Sequence, residues 1–359
     1  MLQYSIRRVL LALPVLFAVI FVTFVLARVI PGDPCRAILG EKATQAVCDQ
    51  FTRDFGLDEP IPVQFGLYLG QILRGDFGNS IRFGRPITLM LAERLPLTTE
   101  LGIAAMILAV LLGIPAGIIS ALRRNSAVDV VTMIGANVGV SMPIFFLGLL
   151  LVYFFAVLLR DTPFALPPSG RLSPGVSPTP FFEVFGWEIT KDSPNYTFLK
   201  YIASHYMFNA LITGNFATLW DAIKHMMLPA LALSTIPLSI IARMTRSSML
   251  EVLDKEYVRT AYAKGLENRT VIMRHAFRSA LLPVVTITGL QLGGVLGGAV
   301  LTETIFGLSG VGLSLYEAIT SRDFPVIQGF TLVITVIYVF FNLVVDLSYA
   351  YLDPRVRLN

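Results

Sequence analysis

The sequence predicts an all-α integral membrane protein with six transmembrane helices and both termini cytoplasmic. Three observations predict it. Hydrophobic residues make up 55% of the 359 and charged residues only 14%, with a mean hydropathy of +0.70; soluble domains carry about 45–50% apolar and about 25% charged residues. Six stretches free of Asp, Glu, Lys and Arg meet or approach the ~20 residues that a helix needs to cross a hydrocarbon core about 30 Å thick. They are residues 9–27, 101–122, 130–159, 226–242, 279–302 and 324–345. The basic residues between them concentrate on one side. This composition excludes a disordered chain, a nucleic-acid-binding tail and a disulfide-dense secreted module. Two cysteines and three histidines also make a histidine-rich metal site a poor fit.

The first stretch follows Arg7 and Arg8, as a signal peptide would, but its 19 uncharged residues exceed the ~7–15-residue apolar region of such peptides. No convincing small-x-small cleavage site follows, so it is read as a span. A seventh candidate, residues 201–220, has no formal charge but contains Ser204, His205, Asn209, Thr213, Asn215 and Thr218, which is costly polarity for a lipid-facing helix. Orientation decides against it. With six spans, Arg7, Arg8, Arg123, Arg124, the eight basic residues of 243–278, Arg355 and Arg357 share one side, and basic residues near span ends prefer the cytoplasm. Residues 201–220 are therefore expected to form an interfacial or external helix. Fourteen basic residues face six acidic ones on the cytoplasmic side, a net +8 that leaves −4 for the remainder of a chain whose total is +4.

Residues 1–96, the first span and the external segment after it, form one unit. Residues 97–359 form a core of five spans, with an external insertion at 160–225 and a cytoplasmic connection at 243–278. Both external segments are rich in turn formers, as in Gly75-Asp76-Phe77-Gly78-Asn79-Ser80 and the prolines 163, 167, 168, 174, 178 and 180. Cys35 and Cys48 share the first external segment. In an oxidising compartment they could close a disulfide; two unpaired thiols are the alternative, and both readings stand.

Residues 243–278 hold eight basic and four acidic residues, a net +4 equal to that of the whole chain. Within them, Glu256-Tyr-Val-Arg-Thr-Ala-Tyr-Ala-Lys-Gly265 has helical composition stopped by a glycine, which tolerates a left-handed helix cap. A short helix on the cytoplasmic face followed by a turn suits docking onto another protein. A basic loop held at the lipid headgroups is the simpler alternative.

At these residues the chain resembles a known family. Glu256 through Leu266, continuing to Arg274-His-Ala-Phe-Arg-Ser-Ala-Leu-Leu-Pro283, is similar to the cytoplasmic "EAA" loop of ABC importer permeases, in the version found in dipeptide and oligopeptide permeases. Ile30-Pro-Gly-Asp-Pro34, Phe55-Gly-Leu-Asp-Glu-Pro60, Arg243-Met-Thr-Arg-Ser-Ser-Met-Leu-Glu251, Leu301-Thr-Glu-Thr-Ile-Phe306 and Asp346-Leu…Asp353-Pro-Arg355 resemble that family in the same order. The likeness covers nearly the whole chain and is to the first of the two permease subunits. Arg259, Thr260 and Ala261 stand where the broad pattern has Glu-Ala-Ala, and the 18 residues from Gly265 to Pro283 exceed the broad spacing; both are features of the peptide-permease version. The second external segment is longer than typical for the family.

The resemblance implies a non-catalytic permease in the bacterial cytoplasmic (inner) membrane. Its partners would be a second permease subunit, two ATP-binding subunits and an extracytoplasmic peptide-binding protein, with lipid around the spans and no nucleic acid. It implies that a helix over about residues 253–265 is gripped by an ATP-binding subunit, with Glu256, Tyr257, Arg259, Thr260, Ala261, Ala263, Lys264, Gly265 and Leu266 as coupling residues. ATP-driven closure would open the permease outward, and hydrolysis would relax it inward by a rigid rocking motion. The chain has no Gly-x4-Gly-Lys-[Ser/Thr] loop, so ATP and magnesium would be bound by the partners and no cofactor by this chain.

Within the membrane, Gly289, Gly293 and Gly297 recur at helical spacing, with Gly294 and Gly298 beside them. Small residues four apart let helices approach closely, either as static packing or as a sliding gate with the second permease. Pro283 begins the same span, and Pro115, Pro143, Pro229 and Pro237 can kink others. Asp346 and Glu303 sit near membrane depth, where an ionisable group is a functional candidate with a partner expected. Asp346 is expected to pair with Arg243 or Arg246, and Glu303 either caps or packs locally, or meets a peptide's amino terminus at the external mouth.

Two other classes fit the sequence less well. A self-sufficient secondary transporter usually shows internal pseudo-repeats around a midplane site, and none is visible. A membrane enzyme needs a nucleophile with a base, or metal ligands, within the spans; His205 and His275 fall outside them and His225 borders the fourth. Among importers, nickel or another small solute is the alternative cargo, but a nickel path favours histidine and carboxylate ligands, of which the spans offer few.

Overall fold

The computed structural model describes residues 2–29, 35–36, 43–54, 56, 58–190 and 192–352. They form helices and no strand; Asn79 and Pro86 make an isolated antiparallel bridge. In order the helices are α1 (Leu2–Val29), α2 (Gln45–Asp54), α3 (Ile61–Leu73), α4 (Ile87–Leu122), α5 (Ala127–Ser141) and α6 (Ile144–Val152), the last continuing as the π-helical stretch Tyr153–Leu158. Next come α7 (Phe181–Val184), α8 (Tyr196–Ala203), α9 (Tyr206–Ile212), α10 (Phe216–Leu253) and α11 (Glu256–Ala263). Then α12 (Asn268–Thr270) runs through the π-helical stretch Val271–Phe277 into α13 (Arg278–Ile305), followed by α14 (Val311–Ser321) and α15 (Phe324–Leu352).

Five long apolar helical segments, in α1, α4, α10, α12–α13 and α15, together with the bent pair α5–α6, account for six spans. The third is not one continuous helix: α5 and α6 meet at 106°. Pro143 lacks an N–H and disfavours helical backbone at the residue before it, and Met142 is accordingly extended at φ −81°, ψ 123°.

The helices also overrun the charge-free stretches. α4 starts 14 residues before the predicted second span and is about 54 Å long at 1.5 Å per residue, so its outer end stands clear of a ~30 Å core. α10, with 38 residues, begins in the second external segment and ends inside the cytoplasmic connection. A helix does not stop at the membrane face, and charged residues such as Glu93, Glu100, Asp221 and Glu251 lie on these extensions.

α4 and α10 form the centre of the bundle. A Cβ on Gly117 would lie 2.5 Å from the Ala242 carbonyl oxygen, and one on Gly113 2.9 Å from that of Leu238. Backbones this close need glycine, and close packing is what drives helix association in lipid. Leu101, Ala105, Ala109, Leu228, Leu233 and Ile241 are buried there with Phe306 of the α13–α14 turn.

Each external segment is fastened to span ends. Residues 201–220 are not one helix: the stretch holds the end of α8, all of α9 and the start of α10. It breaks at His205, whose backbone is extended, and at Gly214, at φ +67°. Phe181, Phe182 and Ala203 form a small core with Tyr196, Leu199 and Ile202, and Asn209 accepts from the Phe181 N–H and donates to the Thr179 carbonyl, both at 2.8 Å. Arg171 donates to Glu100 of α4 at 2.6 Å and to the Ser204 carbonyl, and lies 3.7 Å over the Tyr206 ring. Ser173 donates twice to Asp221 of α10 at 2.7 Å.

In the first external segment, Cys35 and Cys48 are joined by a disulfide and buried with Phe51. Asp323, at the α14–α15 turn, accepts from the Ser80 hydroxyl and from the Ile81 and Arg82 N–H groups. Part of this segment is not external. Phe65 of α3 packs edge-on against Phe17, Phe21 and Phe24 of α1, and Phe17 lies near the middle of the apolar stretch Ile6–Leu26. Residues 31–34 and 353–357, which carry two of the family-like motifs, lie outside the described residues.

Candidate functional site

α11 is a detached two-turn helix on the cytoplasmic side, three residues shorter at its start than the predicted 253–265 segment. Lys255, in an extended conformation, precedes it. Its end is a glycine cap: Gly265 sits at φ +76°, its N–H donates to the Tyr262 carbonyl at 2.9 Å, and the Leu266 N–H donates to that of Ala261 at 3.4 Å. This 6→1 and 5→2 pairing satisfies carbonyls that the last turn leaves open.

Val258 and Ala261 turn inward and are buried with Val271, against Val252 and Leu253 at the end of α10. The other expected coupling residues, Glu256, Tyr257, Arg259, Thr260, Ala263, Lys264, Gly265 and Leu266, are exposed. Ala261 thus seats the helix rather than presenting itself to a partner. Tyr257, Tyr262 and Leu266 are 45%, 44% and 40% exposed, and Met273 in the following π-helical stretch is 47% exposed. The Tyr262 hydroxyl donates to Asn268 at 2.8 Å, which steadies the ring at the surface. Arg259 lies 3.3 Å from Glu256, and Lys255 3.3 Å from Glu251; exposed pairs of this kind contribute little to stability. The outward side of α11 thus carries Glu256, Arg259, Thr260 and Ala263, with Tyr257 and Tyr262 on either flank of the buried Val258–Ala261 side, all held on a scaffold that is part of α10.

The charged candidates have the following described partners. Arg246 binds Asp129 through both ends of its fork, Nε to Oδ1 at 2.7 Å and Nη2 to Oδ2 at 2.8 Å. Arg243 donates to Asn137 at 3.1 Å. Their described partners are therefore on α5, while the Asp346 side chain lies outside the described residues. Asp129 carried a readable signal: Ser126 caps α5 and accepts from the Asp129 N–H, the Ser-x-x-acid spacing of a helix start.

Glu303 does not face an external mouth. It is fully buried, accepting from the Thr98 hydroxyl at 2.6 Å and from the Leu313 N–H at 3.0 Å, so it caps the N-terminus of α14 from the preceding helix. Gly289 and Gly293 lie against α15, where an added Cβ would come within 2.1 Å of Val345 and of Tyr338 respectively. Gly297 has nothing within 4 Å of such a Cβ. The stripe is therefore half internal packing and half open face. Pro283 lies within α13.

Residues 113–358 match the family described as binding-protein-dependent transport system inner membrane component, and residues 1–102 match the N-terminal membrane component of the same systems. The chain belongs to this family. As a member it is a multi-pass protein of the bacterial inner membrane and a permease component of a transporter that works with partner components. The permease is 46% identical over 358 residues to the dipeptide transport system permease protein DppB of Alkalihalophilus pseudofirmus, covering 99% of this chain and 100% of that one. It is 40% identical over 358 residues to the protein of the same name from Escherichia coli, covering 99% of each. It is also 40% identical over 360 residues to the di/tripeptide transport system permease protein DppB of Pseudomonas aeruginosa, again covering 99% of each.

Proposed function

We propose that this permease forms a heterodimer with a second permease subunit and moves dipeptides or short peptides from an extracytoplasmic binding protein to the cytoplasm. Two partner subunits bind and hydrolyse ATP with magnesium, and the permease itself catalyses no reaction. The observation that carries the reading is α11, a short helix seated on the end of α10 by Val258 and Ala261 with Tyr257, Tyr262 and Leu266 exposed. A cleft on an ATP-binding subunit can grip such a helix without unfolding it, and displacement of α11 passes directly to the end of a span. The peptide cargo is supported by full-length similarity to permeases named for dipeptide and di/tripeptide transport.

The test is made on the exposed face, because changes at Ala261 or Gly265 would unseat the helix itself. Leu266→Asp together with Tyr257→Ala is expected to weaken association with the ATP-binding subunits by about tenfold or more, as loss of interface anchors does, and to stop peptide uptake while the permease still inserts and pairs with its second subunit. Unchanged association measured on the purified complex would remove α11 from the coupling role. Competition by dipeptides, but not nickel, for binding-protein-dependent uptake tests the cargo.

A further inference from the structure

We propose that Asp129 and Arg246 are positioning residues of transport, joining the cytoplasmic ends of α4, α5 and α10 into one body so that displacement of α11 reaches the bend of the third span. The inference rests on the reading of α11 as the dock for an ATP-binding subunit.

The joint is built around one carboxylate. Oδ1 of Asp129 accepts from Arg246 Nε and from the hydroxyl of Ser120, in the last turn of α4. Oδ2 accepts from Arg246 Nη2 and, at 2.9 Å, from the N–H of Asn125 in the α4–α5 turn. Asn125 takes a left-handed conformation, at φ 61°. Side chains and backbone from three consecutive spans thus meet on two oxygens, and the Asp129 side chain is only 5% exposed. A buried ion pair adds little net stability over an apolar filling of the same volume, but the fork-to-carboxylate pair fixes both distance and angle. That stiffness is what a transmitting contact needs.

The surroundings give the joint a direction. Arg246 precedes the end of α10 by seven residues, about 10 Å of helix, and that end is the floor on which α11 sits. α5 is held to α10 at its far end too, since a Cβ on Gly139 would lie 2.9 Å from Ser239 Oγ. Beyond the 106° bend α6 stays in contact with α10 and gains a second attachment, as Gly148 packs on Ile305 and Phe306 at the outer end of α13. The cytoplasmic half of the third span is therefore fastened to α10 close to α11, the outer half is shared between α10 and the outer end of α13, and Met142–Pro143 lies between the two. Hinge motions are absorbed at a few such element-terminal residues.

The experiment uses the complete transporter in proteoliposomes with its loaded binding protein, and reads peptide imported per ATP hydrolysed alongside thermal stability. In Asp129→Asn/Arg246→Met both charges are removed, so no buried charge is stranded. This variant is expected to assemble and hydrolyse ATP, with the import ratio down about tenfold, the scale on which residues between coupled sites act. A native ratio in that variant overturns the proposal. Arg246→Lys keeps the charge but loses the fork, and is expected to lower the ratio about threefold at unchanged thermal stability. If the double variant does not assemble, Arg246→Lys decides alone, and a native ratio there overturns the proposal. Failure of the α11 reading is separate: it shows as undiminished ATP-binding-subunit association in Leu266→Asp/Tyr257→Ala, with Asp129 and Arg246 intact.

Discussion

Glu303 shows how a single acidic side chain at the end of a span is accommodated without solvent. Its two oxygens take the Thr98 hydroxyl and the Leu313 N–H, and Thr98 in turn accepts from the Val311 N–H at 2.9 Å. The carboxylate therefore holds α4, α13 and the first turn of α14 together. Replacement by glutamine puts an NH2 donor where an acceptor is required, and an unsatisfied buried group costs about 1–3 kcal/mol. Glu303→Gln is expected to lower the thermal stability of the purified complex by that amount and Glu303→Ala by more; equal melting of all three proteins would show that the cap contributes nothing. Gly310 guards the same site, since a Cβ there would lie 2.5 Å from the carboxyl group. The acid was visible in the sequence as a buried-charge candidate, but its partners were not, because Thr98 lies 205 positions away and nothing local marks it.

Among elements, the spans were the most legible because hydrophobic length is a property of contiguous residues. Their ends were not, because charge marks where lipid stops and says nothing of where a helix does; α4 and α10 run on through Glu93 and Glu251. The glycine-stopped helix at residues 256–265 was legible for a local reason, the need for a left-handed cap at Gly265. Which of its faces is buried was not, and Ala261 turned out to be its seat. The glycine stripe of α13 needed the third dimension as well. Gly293 is in contact with Tyr338, whereas Gly297 opens onto empty space. Gly293→Val forces overpacking, which costs about 1–3 kcal/mol, and should lower the melting temperature of the isolated permease. Gly297→Val should leave it unchanged. Identical effects of the two substitutions would contradict this division of the helix into two faces.

Across the whole molecule, the outer side is held by polar clasps between distant parts of the chain. The 160–225 insertion has its own small core, and its polar connections to the bundle include Arg171 and the Met207 N–H on Glu100, Ser173 on Asp221, Thr99 with His205, and the Gly170 N–H on the Phe306 carbonyl. The Arg171 and Glu100 side chains are 16% and 7% exposed, so removing the arginine strands a buried carboxylate at a cost of about 3–5 kcal/mol. Arg171→Ala is expected to loosen the insertion and expose a new cleavage site within residues 160–225 to protease added from outside. A digestion pattern identical to that of the parent protein would mean that the insertion is held by other contacts. None of these pairs could be read from spacing: composition identifies a membrane protein and its sidedness, but long-range partners are chosen by the packing of the spans.

The fastening of the first external segment also sets an order of events during biosynthesis. Ser80 finds its acceptor on Asp323, which is 243 residues later in the chain. At a synthesis rate of about 5–20 residues per second, roughly 10–50 s separate the emergence of the two ends of that hydrogen bond. Throughout that interval the segment has crossed the membrane with no anchor to the last span. The newborn permease thus carries on its outer surface a record of whether its C-terminal span has arrived, since a chain cut short before Asp323 leaves the Ser80 hydroxyl and the Ile81 and Arg82 N–H groups without that acceptor.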